Sequence, residues 1–111
     1  MDISEERQDG VVIVRVTGRL DASNVTALQE KLFACLDAGD RRIVLDGRRL
    51  DYIDSTGVRV ILVAAKRLKP GGGEIVIAAL SDYVNEVFTI AGLTTLFRFY
   101  ASVEEAVAAL R

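Results

Sequence analysis

The stretch Asp54-Ser55-Thr56-Gly57 decides how the middle of this 111-residue chain folds. It follows the apolar run Ile43-Val44-Leu45 and opens a largely apolar segment over residues 58–68. This order predicts a strand, a loop and a helix N-terminus. Asp54 suits the N-cap because its carboxylate can accept a backbone N–H of the first turn. Ser55 would then be exposed at the first helical position, where anions are favoured, although an ordinary first turn could have the same sequence.

Turn signals and hydrophobic spacing divide the remaining chain into strands and helices. Asp9-Gly10 predicts a hairpin turn between strands at residues 3–7 and 11–16, and the second strand is apolar enough to be covered on both faces. Further strands are predicted at 43–46, 74–79 and 97–100, with helices beginning after Ser23 or Asn24, at Asp54, at Ser81 and at Ser102. The order β-β-α-β-α-β-α-β-α predicts an α/β fold.

Composition and charge favour one soluble domain spanning residues 1–111. The net charge is −2, which gives no basic face for nucleic acid. The acidic start lacks the regions of a signal peptide, and no run approaches the roughly 18 apolar residues of a membrane span. Cys35 is the only cysteine and is expected to be a small buried apolar residue. We therefore expect a cytoplasmic protein without membrane insertion.

The residues available for catalysis are few. Histidine is absent, so a Ser-His-Asp triad cannot form, and no lysine lies near Ser55 in sequence. A metal site using Asp21, Asp46 and Asp54 is conceivable, but carboxylates at strand ends and helix caps are more often structural. No phosphate loop with its lysine is present. We expect no catalytic centre, no metal and no cofactor.

Three motifs in order resemble the STAS-domain family of anti-sigma factor antagonists. They are Thr17-Gly18-Arg19-Leu20-Asp21, the serine turn Asp54–Gly57 and Ile90-Ala91-Gly92-Leu93, and the similarity runs from about residue 11 to residue 110. The resemblance implies a STAS-type domain with a mixed, mostly parallel sheet, an N-terminal antiparallel hairpin and about four packed helices.

The same resemblance implies a binding protein and not an enzyme. Such an antagonist binds an anti-sigma factor that is also a serine kinase, and thereby releases a sigma factor. Phosphorylation of the serine that matches Ser55 ends this binding, and a serine phosphatase reverses it. Asp21, Asp54, Thr56 and Gly57 would support the phosphorylation site. We expect a monomer or a weak dimer.

The helix that begins after Asp54 separates a core face from a docking face. Stepping 100° per residue places Gly57, Ile61, Ala64 and Leu68 on the core side. The residues predicted to bind the partner, on the side that carries Ser55, are Arg59, Leu62, Val63 and Lys66.

Three alternatives stay open. A STAS domain can be a scaffold or regulatory subunit of a stress-signalling complex or a transporter. Asp46, which ends a predicted strand, could be the phosphoaspartate of a receiver-like domain, although no lysine follows the strand at 74–79. The third alternative is a small-molecule or nucleotide binder.

Overall fold

The computed structural model describes residues 1–111 as a six-stranded sheet with four helices. The strands are β1 (Asp2–Gln8), β2 (Val11–Leu20), β3 (Arg42–Asp46), β4 (Leu50–Ile53), β5 (Glu74–Ala78) and β6 (Phe99–Tyr100). The helices are α1 (Val25–Asp37), α2 (Ser55–Leu68), α3 (Asp82–Ile90) and α4 (Val103–Leu110), with a short 3₁₀ turn at Lys69–Gly71 after α2.

The sheet is mixed and mostly parallel, as predicted. Its main order is β1-β2-β3-β5-β6, with β1 antiparallel to β2 and the other neighbours parallel. Asp9 and Gly10 both have positive φ, 54° and 79°, which a tight hairpin turn requires because its twist must match that of the strands. The predicted N-terminal hairpin is confirmed.

Strand β4 was not predicted from the sequence, and the order β-β-α-β-α-β-α-β-α is wrong at this point. β2 pairs with β3 through Val12–Arg15 and with β4 through Gly18–Leu20. The register of the pairing with β4 shifts by one residue between Gly18 and Arg19. Gly18 has φ +97°, a conformation that glycine adopts without strain. The predicted strand over 97–100 is also shorter, since only Phe99–Tyr100 pairs with β5.

The sheet is covered on both faces, which explains the nearly continuous apolar sequence of β2. Alternate residues of β2, such as Val12 and Val14, join the larger core cluster under α1, α2 and α3. The intervening residues Val11 and Ile13 join a smaller cluster under α4. The period-2 alternation of strand side chains therefore supplies two cores from one run of residues.

Gly57 allows the start of α2 to approach the sheet closely. A Cβ at this position would lie 2.8 Å from Cγ1 of Ile53 and 2.9 Å from Cγ and Cδ2 of Leu20. Since Leu20 ends β2 and Ile53 ends β4, this contact fixes the first turn of α2 against both strand ends. No helix of the chain has the length and apolar character needed to cross a membrane.

Candidate functional site

The first turn of α2 is capped as the sequence predicts. One oxygen of Asp54, Oδ1, accepts the backbone N–H of Thr56 at 3.0 Å and that of Gly57 at 3.2 Å. Asp54 has extended backbone angles, which is the usual N-cap conformation. Two of the N–H groups that a helix start leaves free are therefore satisfied.

The two hydroxyl residues of this turn differ in their environments. Thr56 is partly buried, and its Oγ1 donates to Oδ1 of Asp54 at 2.5 Å. Ser55 is exposed, and no hydrogen bond joins its hydroxyl to another group of the protein. Of the two hydroxyl groups, that of Ser55 is therefore the one that is exposed and free to react.

Asp54 also connects the serine turn to the loop that follows β2. Its Oδ2 accepts the N–H of Ala22 at 3.2 Å, and its own N–H donates to the carbonyl of Leu20 at 3.2 Å. Asp21 lies between these two residues and accepts both the N–H and the hydroxyl of Ser23, at 3.0 and 2.5 Å. The structure thus brings Asp21 and Asp54, which are far apart in sequence, to one polar edge.

Hydrogen bonding favours the charged form of both carboxylates. The Thr56 hydroxyl is the largest influence that lowers the pKa of Asp54, and backbone donors add to it. Ser23, through its hydroxyl and then its N–H, lowers the pKa of Asp21, while the charge of Asp54 opposes that shift. A phosphate on Ser55 would therefore join two carboxylates that are ionised at neutral pH.

Two aromatic side chains and an arginine continue this edge. The Arg19 guanidinium carbon lies 3.9 Å from the ring centroid of Tyr52, and an Arg19 nitrogen lies 4.0 Å from an Asp21 oxygen. Tyr52 in turn stacks on Tyr83 of α3, with centroids 6.3 Å apart. The sequence analysis did not find this stack, because it joins three elements that are distant in the chain.

The predicted phase of α2 is confirmed on its core side. Gly57, Ile61, Ala64 and Leu68 are buried. On the opposite side Arg59 and Lys66 are exposed, and Val63 keeps 41% of its surface. Leu62 is partly buried and packs against the core, so it also contributes to stability, while its role in partner binding stays a prediction.

A groove runs between α2 and α3 beside Ser55. Its volume is about 470 Å³, and its apolar lining consists of Val58, Leu62, Val87, Ile90, Ala91 and Leu93. Ser55 and Arg59 complete the lining, whereas Val63 does not contribute to it. Helical periodicity identified the α2 side; the α3 side depends on a packing that no local signal reports.

Asp46 lies at a different place from the serine turn. Its side chain is fully buried and accepts Arg15 Nε at 2.7 Å and the N–H of Arg48 at 3.0 Å. A carboxylate held this way lacks the exposure that a phosphoaspartate needs, so the receiver alternative gains no support. No three acidic, cysteine or histidine side chains are arranged to hold a metal ion.

Comparison with known proteins identifies the family. The STAS domain profile matches residues 2–106. BtrV of Bordetella bronchiseptica, named as an anti-sigma factor antagonist, is 40% identical over 111 residues, covering 100% of this chain and 96% of that protein. The anti-sigma-B factor antagonist of Staphylococcus aureus is 32% identical over 86% of this chain and 89% of its own. This chain belongs to the STAS-domain family.

A solved structure supports the same fold. The Bacillus cell fate determinant SpoIIAA, in its phosphorylated form, superposes with a TM-score of 0.78 at 26% identity. The match covers 99% of this chain and 100% of that one. The predicted single STAS-type α/β fold is therefore confirmed.

Proposed function

We propose that this protein is an anti-sigma factor antagonist of the cytoplasm, which binds an anti-sigma factor with serine kinase activity and thereby frees a sigma factor. Family membership supports the proposal, as do the names of the relatives in Bordetella bronchiseptica and Staphylococcus aureus, which both include the words anti-sigma factor antagonist or anti-sigma-B factor antagonist. The observation that carries it is the exposed Ser55 hydroxyl, free of hydrogen bonds beside an apolar groove. The domain acts by binding and not by catalysis.

Phosphorylation of Ser55 is the proposed switch. The kinase, with its own ATP and magnesium, transfers the γ-phosphoryl group to Ser55 Oγ. The new O–P bond replaces the bond to the β-phosphate oxygen, ADP leaves, and the hydroxyl proton passes to the kinase. A serine phosphatase returns the hydroxyl by hydrolysis.

The added charge explains why binding would end while the fold persists. A phosphate carries about −1.5 to −2 charges at pH 7, and the N-terminus of α2 accommodates that charge in the free domain. At a contact with the partner, the same charge would be desolvated beside the carboxylates of Asp21 and Asp54. We therefore expect a loss of affinity without unfolding.

Mapping the modified residue tests this assignment. We expect mass spectrometry of the kinase reaction to find phosphate on Ser55 only, and the Ser55→Ala variant to take up none. Thr56→Ala is the matched control and should still be phosphorylated, because the Thr56 hydroxyl is held by Asp54. Modification mainly at Thr56 or elsewhere would contradict the proposal.

A further inference from the structure

An apolar trough follows the outer side of α2. The groove beside Ser55 meets a second depression of about 460 Å³ at Leu62, which lines both. The second depression continues past Ala65 to Leu96 and Phe97. Helix α2, with 14 residues at 1.5 Å each, is about 20 Å long, and residues from Ser55 to Lys69 line the two depressions, which together we call the trough.

Two large apolar side chains stand exposed along this trough. Ile90, the last residue of α3, keeps 79% of its surface, and Leu96 keeps 60%. Single exposed apolar residues are common. Two of them beside neighbouring depressions that share Leu62 form a patch of the kind that marks an interaction site.

The cations of the trough have no carboxylate partners. Arg59 lines the first depression, and Lys66 and Lys69 line the second. All three are exposed, and none forms an ion pair. Arg41, Arg42, Arg49 and Arg67 are also unpaired, so what distinguishes these three cations is their position beside the apolar side chains of the two depressions. Glu74 also lines the second depression, but Arg98 binds both of its oxygens at 2.8 and 2.6 Å. In a chain of net charge −2, this free positive row indicates an acidic partner.

We propose that the trough binds an acidic amphipathic helix of the anti-sigma factor, with the identity of that partner resting on the function proposed above. Apolar side chains of the bound helix at positions i, i+4 and i+7 occupy the trough, as in other helix-in-groove complexes. Its carboxylates face Arg59, Lys66 and Lys69. Four turns of helix match the length of about 20 Å.

The position of Ser55 gives this binding mode a built-in control. Ser55 lies at the start of α2, four residues before Arg59, so the two side chains are neighbours on one helix face. A phosphate on Ser55 would pair with Arg59 within the domain and repel the acidic helix. Phosphorylation thus withdraws one cation from the partner and adds an opposing charge.

A designed peptide tests the trough without the anti-sigma factor. The probe is a 14-residue helical peptide with leucines at i, i+4 and i+7 and glutamates on the flanks; the matched peptide carries lysine at every glutamate. Binding to the full chain is followed by backbone amide NMR shifts. We expect the acidic peptide to bind more tightly, in a salt-sensitive way, with shifts centred on Leu62, Val87 and Ile90. Equal binding of both peptides, or shifts centred elsewhere, would overturn the proposal.

Variants locate the contact. Ile90→Glu should weaken the acidic peptide about tenfold or more, because it places a like charge in the trough. Asn85→Glu, which adds the same charge at an exposed position of α3 outside the lining, should leave affinity unchanged. Melting temperatures and amide spectra verify that both variants fold. Equal weakening by the two variants would show a net-charge effect and contradict a built site.

The anti-sigma factor forms the second arm of the test. If it binds the wild type and Ile90→Glu equally, the trough proposal fails while the proposed function stands. If the anti-sigma factor does not bind the wild type but the acidic peptide does, the proposed function fails, while the trough is still shown to bind acidic helices. A dimer of this chain in sedimentation that Ile90→Glu abolishes would assign the trough to a second copy and overturn the proposal.

Discussion

Ser55 and Thr56 are adjacent in sequence, but their hydroxyl groups have different hydrogen bonding. Both have hydroxyl groups at the start of α2, but the Thr56 hydroxyl donates to Asp54 and the Ser55 hydroxyl donates to no protein group. The sequence predicted the cap and the exposure of Ser55, because both follow from the local pattern Asp-Ser-Thr-Gly. The bond between Thr56 and Asp54 depends on a rotamer, which the sequence does not specify.

Asp21 provides a prediction at the edge of the serine turn. We expect Asp21→Ala to remain folded, because the side chain bonds only to Ser23 of its own loop and forms a long contact of 4.0 Å to the exposed Arg19. Its phosphorylation rate or kinase affinity should fall about three- to tenfold, because Asp21 lies beside the serine turn on which the kinase is proposed to act, in the loop that bonds to Asp54. Asp51→Ala, at an exposed position of β4, is the control. If Asp21→Ala were phosphorylated at the wild-type rate, Asp21 would have no role beyond shaping the turn.

The lowered pKa of Asp54 makes the stability of the fold depend on pH. Its pKa is lowered in the folded state, chiefly by the Thr56 hydroxyl, so the unfolded chain binds this proton more readily. The stabilisation is therefore present above about pH 4, the ordinary range for aspartate, and is lost as pH falls through the lower folded pKa. Thermal midpoints between pH 7 and pH 2 should show this loss.

The matched variant is Asp54→Ala. It should lose about 1 kcal/mol at pH 7 through the missing cap and should depend less on pH below about pH 4. A variant with the same acid profile as the wild type would contradict the role given to this carboxylate.

At the scale of the element, α2 has a buried core face and an exposed face that we propose for docking. Ile61 is fully buried, so Ile61→Ala should lose about 2–5 kcal/mol of unfolding free energy. Val63, 41% exposed, should lose less than about 0.5 kcal/mol as alanine. Leu62→Ala should fall between them, at about 1–2 kcal/mol, because the side chain packs against the core but stays partly exposed. Urea denaturation checks this order, and a greater loss at Val63 than at Ile61 would contradict the helical phase.

The same helix shows why part of the site could not be read from the sequence. The burial of Ile61 and Leu68 follows from a period of 3.6 within one element, and the caps follow from neighbouring residues. The pairing of β4 with the end of β2 joins residues about 30 positions apart, and the trough needs Ile90 of α3 beside Leu62 of α2. Such contacts are decided by tertiary packing, so local patterns identified one wall of the site and missed the other.

At the scale of the whole molecule, the proposed switch would act on a surface and leave the core unchanged. Ser55 is exposed and belongs to neither core cluster, while Asp21, Asp54 and the trough lie around it. The hydrogen bonds of Asp54 to Thr56, Gly57 and Ala22 do not involve the Ser55 hydroxyl, so we expect them to persist when Ser55 carries a phosphate. We expect regulation through the charge of one exposed group and not through a rearrangement of the domain.

Comparing three forms of Ser55 tests this central claim most directly. Affinity for the anti-sigma factor is measured for Ser55→Ala, Ser55→Asp and the phosphorylated wild type, together with their melting temperatures. Alanine adds no charge and should bind as the unmodified protein does; aspartate should bind weakly, and the phosphate, with more charge and bulk, should bind weakest. All three should melt within a few degrees of the wild type, because the helix N-terminus tolerates negative charge. Equal affinity of folded Ser55→Asp and Ser55→Ala would contradict the charge switch.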